Sequence, residues 1–265
     1  MNIGLLAVSF GTTHLDTLER TILAAEADLS AAFPQLPCYR AFTSAVVRRR
    51  LAGRMAVDGV EEALARMAAG GLEGALVQPT LLIPGEEYDR LRARIPADGR
   101  FALGGPLLRD EADLAAMAAI LREAYPLDKD TVLLAMGHGT AHSANGLYLR
   151  LARHMAPDMA LCTVEGRPSF REAVDALLAQ PRRKVHLVPL LLVAGDHSKN
   201  DMAGPGPDSL RSLLERAGFQ VSWSLRGLGE LPAVRRRFVL RAREAYEAAG
   251  FCGAAADSGP PPKRF

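Results

Sequence analysis

Two stretches of this chain are near copies of two others. Leu5-Leu6-Ala7-Val8-Ser9-Phe10-Gly11-Thr12-Thr13-His14 aligns without a gap on Leu133-Leu134-Ala135-Met136-Gly137-His138-Gly139-Thr140-Ala141-His142. Pro79-Thr80-Leu81-Leu82-Ile83-Pro84-Gly85-Glu86-Glu87 aligns on Pro189-Leu190-Leu191-Leu192-Val193-Ala194-Gly195-Asp196-His197. A duplication on this scale leaves few architectures open. It predicts two related lobes built on one plan, with a cleft between them. The copies differ where chemistry would sit: His138 and His197 stand where the first copy has Phe10 and Glu87.

With 265 residues, the duplication predicts an N-terminal lobe over 1–127 and a C-terminal lobe over 128–252 that carries the histidines. Pro126-Leu127-Asp128-Lys129 reads as the hinge, and 253–265, with Pro260-Pro261-Pro262, as a flexible tail. Apolar residues make up 49% and charged residues 23%, which is ample for two cores. The net charge of +2 argues against non-specific binding to nucleic acid, although Arg48-Arg49-Arg50 and Arg235-Arg236-Arg237 leave acidic small ligands open. No apolar run is long enough to span a bilayer, so no membrane role is expected. Cys38, Cys162 and Cys252 form no CxxC pair, and no basic leader follows Met1. The expectation is a soluble protein of the cytoplasm; assembly into a homo-oligomer stays open.

Short apolar runs alternate with helical periodicity. Ile3–Val8, Cys38–Phe42, Ala75–Ile83 and Phe101–Leu103 read as strands, and Leu15 to Leu29, Val60–Met67, Glu86–Ile95 and Glu111–Ala124 as helices. The second half repeats the order, with strands at Thr131–Met136, Ala160–Val164, Val185–Val193 and Gln220–Leu225. Its helices fall at Ala144–His154, Phe170–Leu178, Ser209–Ala217 and Ala233–Ala248. This is an α/β pattern: two similar lobes, each a parallel sheet flanked by helices.

Open α/β sheets place ligands beyond the carboxyl ends of their strands. His138, Glu165 and His197 follow three different strands of one lobe, and Glu87 occupies the matching loop of the other. Two neutral imidazoles and a carboxylate suit a borderline divalent metal and leave coordination positions open. Gly137 and Gly139 flank His138 and would let a flat ligand or a metal approach the backbone. Against this stands the plain alternative of turn residues after strands, with Glu165 paired to Arg167. Of the remaining histidines, His154 reads as a solvated helix residue, His186 as a hydrogen-bonded core residue, and His14 and His142 as loop caps. The same ligands could hold zinc in a hydrolase and activate water, or serve a non-catalytic carrier of metal or tetrapyrrole.

Val8-Ser9-Phe10-Gly11-Thr12, Ala41-Phe42-Thr43-Ser44, Gly85-Glu86-Glu87-Tyr88, Met136-Gly137-His138-Gly139 and Val193-Ala194-Gly195-Asp196-His197 together resemble the class II chelatases. Asn200-Asp201-Met202-Ala203 and Gly227-Leu228-Gly229-Glu230 extend the likeness over nearly the whole chain. Within that family the likeness is to the members that act on sirohydrochlorin in anaerobic cobalamin biosynthesis. The resemblance implies insertion of Co2+, with Ni2+ or Fe2+ as alternative metals, into sirohydrochlorin and no organic cofactor. It implies His138 and His197 as metal ligands, His138 also as proton acceptor, and an acidic group that is either Glu165 or Glu87. Imidazole, with an unperturbed pKa of about 6.5, can be a neutral ligand or a base near neutral pH. Ser9, Thr12, Thr43 and Ser44 are candidate donors to the macrocycle, Phe10 a candidate packing surface, and Gly137 a point of close approach.

Overall fold

A strand buried on both faces must be apolar nearly throughout, and the first copy and its mate obey this. β1 (Ile3–Ser9) is buried at every position, and its repeat, Thr131–Gly137, at every position after the first. The structure, a computed structural model, describes residues 1–251; Cys252 and the expected tail lie outside them. In the first half β1 is followed by α1 (Leu15–Leu18), a π-helical turn at Glu19–Leu23 and α2 (Ala24–Ala32). Next come β2 (Cys38–Phe42), α3 (Ala45–Leu51), α4 (Val60–Ala69), β3 (Gly74–Pro79), α5 (Glu86–Arg94) and β4 (Phe101–Leu103). The second half runs α6 (Glu111–Ala124), β5 (Thr131–Gly137), α7 (Gly146–Met155), β6 (Met159–Thr163) and α8 (Phe170–Leu178). It ends with β7 (Lys184–Pro189), α9 (Leu210–Arg216), β8 (Gln220–Trp223) and α10 (Pro232–Ala248).

Two four-stranded parallel sheets result, ordered β2-β1-β3-β4 and β6-β5-β7-β8. The duplication holds to the residue. Ser9 pairs with Phe42 as Gly137 pairs with Thr163, and Val8 pairs with Pro79 as Met136 pairs with Pro189. The expected α/β architecture of two similar sheets flanked by helices is therefore the observed one.

Two expectations are corrected. The apolar runs predicted strands through Ile83 and Val193, but β3 and β7 stop at Pro79 and Pro189. Proline has no N–H to extend the ladder. One further bond follows in each copy, Thr80 N–H to the Val8 carbonyl and Leu190 N–H to the Met136 carbonyl, and then the chain turns. The second concerns the division of the chain. One compact unit comprises Met1–Leu107 with the described residues from Pro232 onward, and the other comprises Leu108–Leu231. α6 belongs with α7, where Glu111 takes both Arg150 and His154, whereas α10 packs on α2 and β3. Sequence order alone places each helix in the half in which it falls. Its apolar stripe says which face is buried but not against which sheet.

The second unit closes around Leu134, Met136, Cys162, Leu187, Met202, Leu210 and Leu214, all buried. Each of these leucines and methionines contributes about 1.5–3 kcal/mol by leaving water. α8 shows how its helices start: Ser169 accepts from the Glu172 N–H, and the Glu172 carboxylate accepts from the Ser169 N–H. Its buried Ala173, Val174 and Leu177 form the inward stripe. Among the described residues, no helix is long and apolar enough to cross a membrane.

Candidate metal centre

Beyond the end of β5 the backbone continues to pair with its neighbour. The Gly137 carbonyl accepts from the Val164 N–H at 3.1 Å, and the His138 carbonyl from the Glu165 N–H at 2.8 Å. The loops after β5 and β6 are thus joined at the residues that carry the imidazole and the carboxylate. Gly139 has φ +79°, and a Cβ there would lie 2.5 Å from the Gly166 nitrogen and 2.8 Å from Thr163 Cβ. Asn145 ties down the far side, accepting from Thr140 N–H and donating to the Arg167 carbonyl at 3.0 Å. These glycines do not hold space open for a ligand, as the sequence suggested. At Gly137 a Cβ would meet the ring of buried Tyr148 at 2.6 Å, so protein fills the room at both.

His197 arrives from the loop after β7, as the residue that starts a π-helical turn, Ser198–Met202. The ring centroids of His138 and His197 are 4.9 Å apart with their planes at 85°. An ion roughly 2.1 Å from a ligating nitrogen lies about 3.2 Å from that ring's centroid, so two imidazoles sharing one ion keep centroids about 4.5–5.2 Å apart for angles from square to tetrahedral. The observed separation falls inside that window.

The edges of the rings are set as well. His138 Nδ1 lies 3.0 Å from the Gly139 carbonyl, and His197 Nδ1 lies 2.6 Å from Asp201 Oδ2. A carbonyl and a carboxylate only accept, so in each neutral ring Nδ1 carries the hydrogen and Nε2 presents its lone pair. Both side chains are about two-fifths exposed, at 43% and 40%, so an ion can reach them from solvent.

The Glu165 carboxylate lies 3.9 Å from His138 Nδ1 and is 61% exposed. It stands beside the imidazole pair rather than closing a cage. Among the described residues, no group of three His, Cys, Asp or Glu side chains is gathered to hold a metal ion. Arg167 does not claim Glu165. It pairs with Glu172, and the Ser169 N–H, Arg167 and the Ser169 hydroxyl together push the Glu172 carboxyl down to about 2. This pair braces the loop that carries Glu165. A carboxyl whose folded pKa is lowered contributes stability that is present above its unfolded value and lost as pH falls toward the folded one. Glu172→Gln should therefore unfold more readily than wild type above about pH 4.5, with the difference in melting temperature vanishing toward about pH 2. Melts of both proteins across that range check this; a constant difference would refute the assignment.

In the first unit, several expected macrocycle contacts already have partners within the protein. Ser9 is buried with its hydroxyl on Thr80 at 2.7 Å, Thr12 accepts from the His14 N–H, and Ser44 caps α3 by accepting from Val47 N–H. The Thr43 hydroxyl is buried and bonded to no protein group, and Phe10 is 50% exposed. Glu87 makes an ion pair with Arg90 at 2.9 Å on the surface of α5. Arg48, considered for the carboxylates of a ligand, holds Glu62.

Of the other histidines, His142 caps the turn after it through Nδ1, as expected. His154 pairs with Glu111, and His186, taken for a core residue, is half-buried with Nδ1 on Ser222 Oγ at 2.8 Å. Burial pushes the Cys38 thiol up to about 12 and the Cys162 thiol upward too, so neither offers a thiolate. A hollow of about 420 Å3 in this unit, lined by Arg122, Tyr125, Asp128, Thr131, Asp158 and Arg182, lies at the opposite, amino ends of β5 and β6. Asp201, which holds the His197 ring, is not among the site residues expected from the sequence. Its signal was its place four residues after His197.

The fold is shared with solved chelatase structures. SirB from Bacillus subtilis with Fe3+ superposes over 94% of this chain and 98% of its own, with TM-score 0.61 at 16% identity. DR2241 from Deinococcus radiodurans, described as a multi-domain protein with structural similarity to chelatases, matches 91% of this chain and 54% of its own, with TM-score 0.51 at 17% identity. The family model for cobalt chelatase (CbiK) matches residues 3–247, and the chain belongs to that family. The sirohydrochlorin cobaltochelatase of Salmonella typhimurium is 36% identical over 94% of this chain and 98% of its own length. The sirohydrochlorin cobaltochelatase CbiKC of Nitratidesulfovibrio vulgaris is 35% identical over 86% and 84%.

Proposed function

We propose that this protein inserts Co2+ into sirohydrochlorin, giving cobalt-sirohydrochlorin in anaerobic cobalamin biosynthesis, as a cytoplasmic lyase that needs no organic cofactor. The observation that carries this reading is the pair of imidazoles 4.9 Å apart, each with Nδ1 occupied. The names of the two curated relatives supply the macrocycle and the metal. In this scheme His138, His197 and Glu165 hold the ion. The exposed Glu165 side chain, with little packing to restrain it, turns onto the ion from its fixed backbone. Two nitrogen ligands and one carboxylate bind more weakly than a closed thiolate cage, which suits an ion that must be given up.

Insertion exchanges two pyrrolic protons for one divalent cation. His138 is the proposed acceptor of a proton once the ion has left it, because its Nε2 lone pair is then free. Glu87 is the proposed second acidic group and takes the other pyrrolic proton on its carboxylate; its exposed ion pair with Arg90 is worth little and leaves that carboxylate available. Phe10, half-exposed, is the proposed macrocycle contact that remains in the first unit. The test is to mix purified protein with sirohydrochlorin and Co2+, Ni2+ or Fe2+ in turn and follow the visible spectrum of the macrocycle. Cobalt should be inserted faster than without protein and fastest of the three metals. A rate equal to the uncatalysed one would sink the reading.

A further inference from the structure

We infer that Asp201 is the positioning residue of the site: its carboxylate locks the His197 imidazole with Nε2 toward the ion and makes His197 the anchoring member of the pair. The inference rests on the proposed role of His197 as a metal ligand. The two imidazoles are not held alike. His138 gives its Nδ1 hydrogen to a neutral carbonyl of its own neighbour at 3.0 Å, whereas His197 gives its to a carboxylate at 2.6 Å. A hydrogen bond to an ionised acceptor is shorter and roughly twice as strong as a neutral one. The carboxylate also raises the electron density that the ring offers through Nε2.

The turn is built to keep this geometry. Ser198 and Met202, on either side of Lys199, Asn200 and Asp201, are both fully buried. Lys199 N–H bonds the Gly195 carbonyl at 3.0 Å, and Ala203 N–H the Ser198 carbonyl at 3.2 Å. Asp201 is therefore presented by a fixed backbone, one turn along from the ring it holds.

The duplication provides a second, independent observation. The bond from Asp89 N–H to the Gly85 carbonyl matches the one from Lys199 N–H to Gly195, so the alignment carries on past His197. At the same offset the mate of Asp201 is Leu91, a buried core residue of α5. The first copy, with Glu87 in place of the histidine, has no carboxylate at that position. Histidine and aspartate occur together in one copy, and neither occurs in the other.

The test uses the full-length protein without metal and then with Co2+. Long-range 1H–15N correlation of the histidine side chains should show His197 with its hydrogen on Nδ1 in the wild type. Asp201→Asn and Asp201→Ala should lose that single tautomer and weaken Co2+ binding by about 10- to 100-fold, while Asp201→Glu recovers part of both. The carboxylate side chain is 43% exposed, so all three variants should keep the fold. If Asp201→Ala leaves both the tautomer and the affinity unchanged, the inference is overturned. Since the tautomer is read without metal, a wild type that fails to bind Co2+ would count against the proposed function alone.

Discussion

His138→Ala should abolish measurable cobalt insertion while the protein stays folded. The side chain is 43% exposed and touches a neighbouring carbonyl, one carboxylate and one ring, so removing it opens no core cavity. Surface changes of this kind move stability by about 0.5 kcal/mol or less. The chemical loss is of another size. One of the two proposed nitrogen ligands disappears, and with it the proposed base, and a positioned base alone is worth about 10²- to 10⁴-fold. A drop of at least about a thousandfold in the spectroscopic insertion rate, with an unchanged circular dichroism spectrum and melt, is the expected outcome. His197→Ala should do comparable damage, and the double variant should be little worse than either single one, because the two rings act as a unit. A His138→Ala protein that keeps a tenth of the wild-type rate would remove His138 from the mechanism.

Those two histidines were legible in the sequence for a particular reason: the molecule carries its own comparison. Against Phe10 and Glu87, His138 and His197 stand out at positions where the fold asks for no imidazole. The strands were legible because both faces of each central strand are buried, which makes Ile3–Ser9 and Thr131–Gly137 almost continuously apolar. The same signal misled at Leu81-Leu82-Ile83 and Leu191-Leu192-Val193, which are apolar but half-buried loop residues past the sheet. Helix ownership was hidden, because the buried stripe of α6, from Leu114 to Leu121, would fit either sheet. The glycines beside His138 were misread for a related cause. A sequence shows that a side chain is missing but not that Tyr148, Thr163 and Gly166 occupy its place. Asp201 had one local signal, its place four residues after His197, but the turn that carries it has π geometry, so that spacing alone does not mark the two as partners.

Gly139→Ala should both destabilise this protein and slow cobalt insertion. Two costs combine there. An L-residue at φ +79° is strained by about 1–2 kcal/mol. The new Cβ would also press on the Gly166 nitrogen at 2.5 Å and the Gly166 Cα at 2.9 Å, backbone atoms that cannot rotate aside, and such overpacking costs about 1–3 kcal/mol more. Gly71→Ala separates the two terms. It has φ +84° with nothing within 4 Å of the added Cβ, so only the backbone strain of about 1–2 kcal/mol applies. The functional consequence goes further than stability. Relief of the overlap must push Gly166 away, and Glu165 moves with it. The bond from Glu165 N–H to the His138 carbonyl then stretches, spoiling the geometry of the site. At a temperature where Gly139→Ala is fully folded, insertion should still fall by about 10- to 100-fold, the usual consequence of a misplacement of about 1 Å. Gly71→Ala should insert cobalt at the wild-type rate. If the two variants melt together and work equally well, the contact between Gly139 and Gly166 does not hold the site in place.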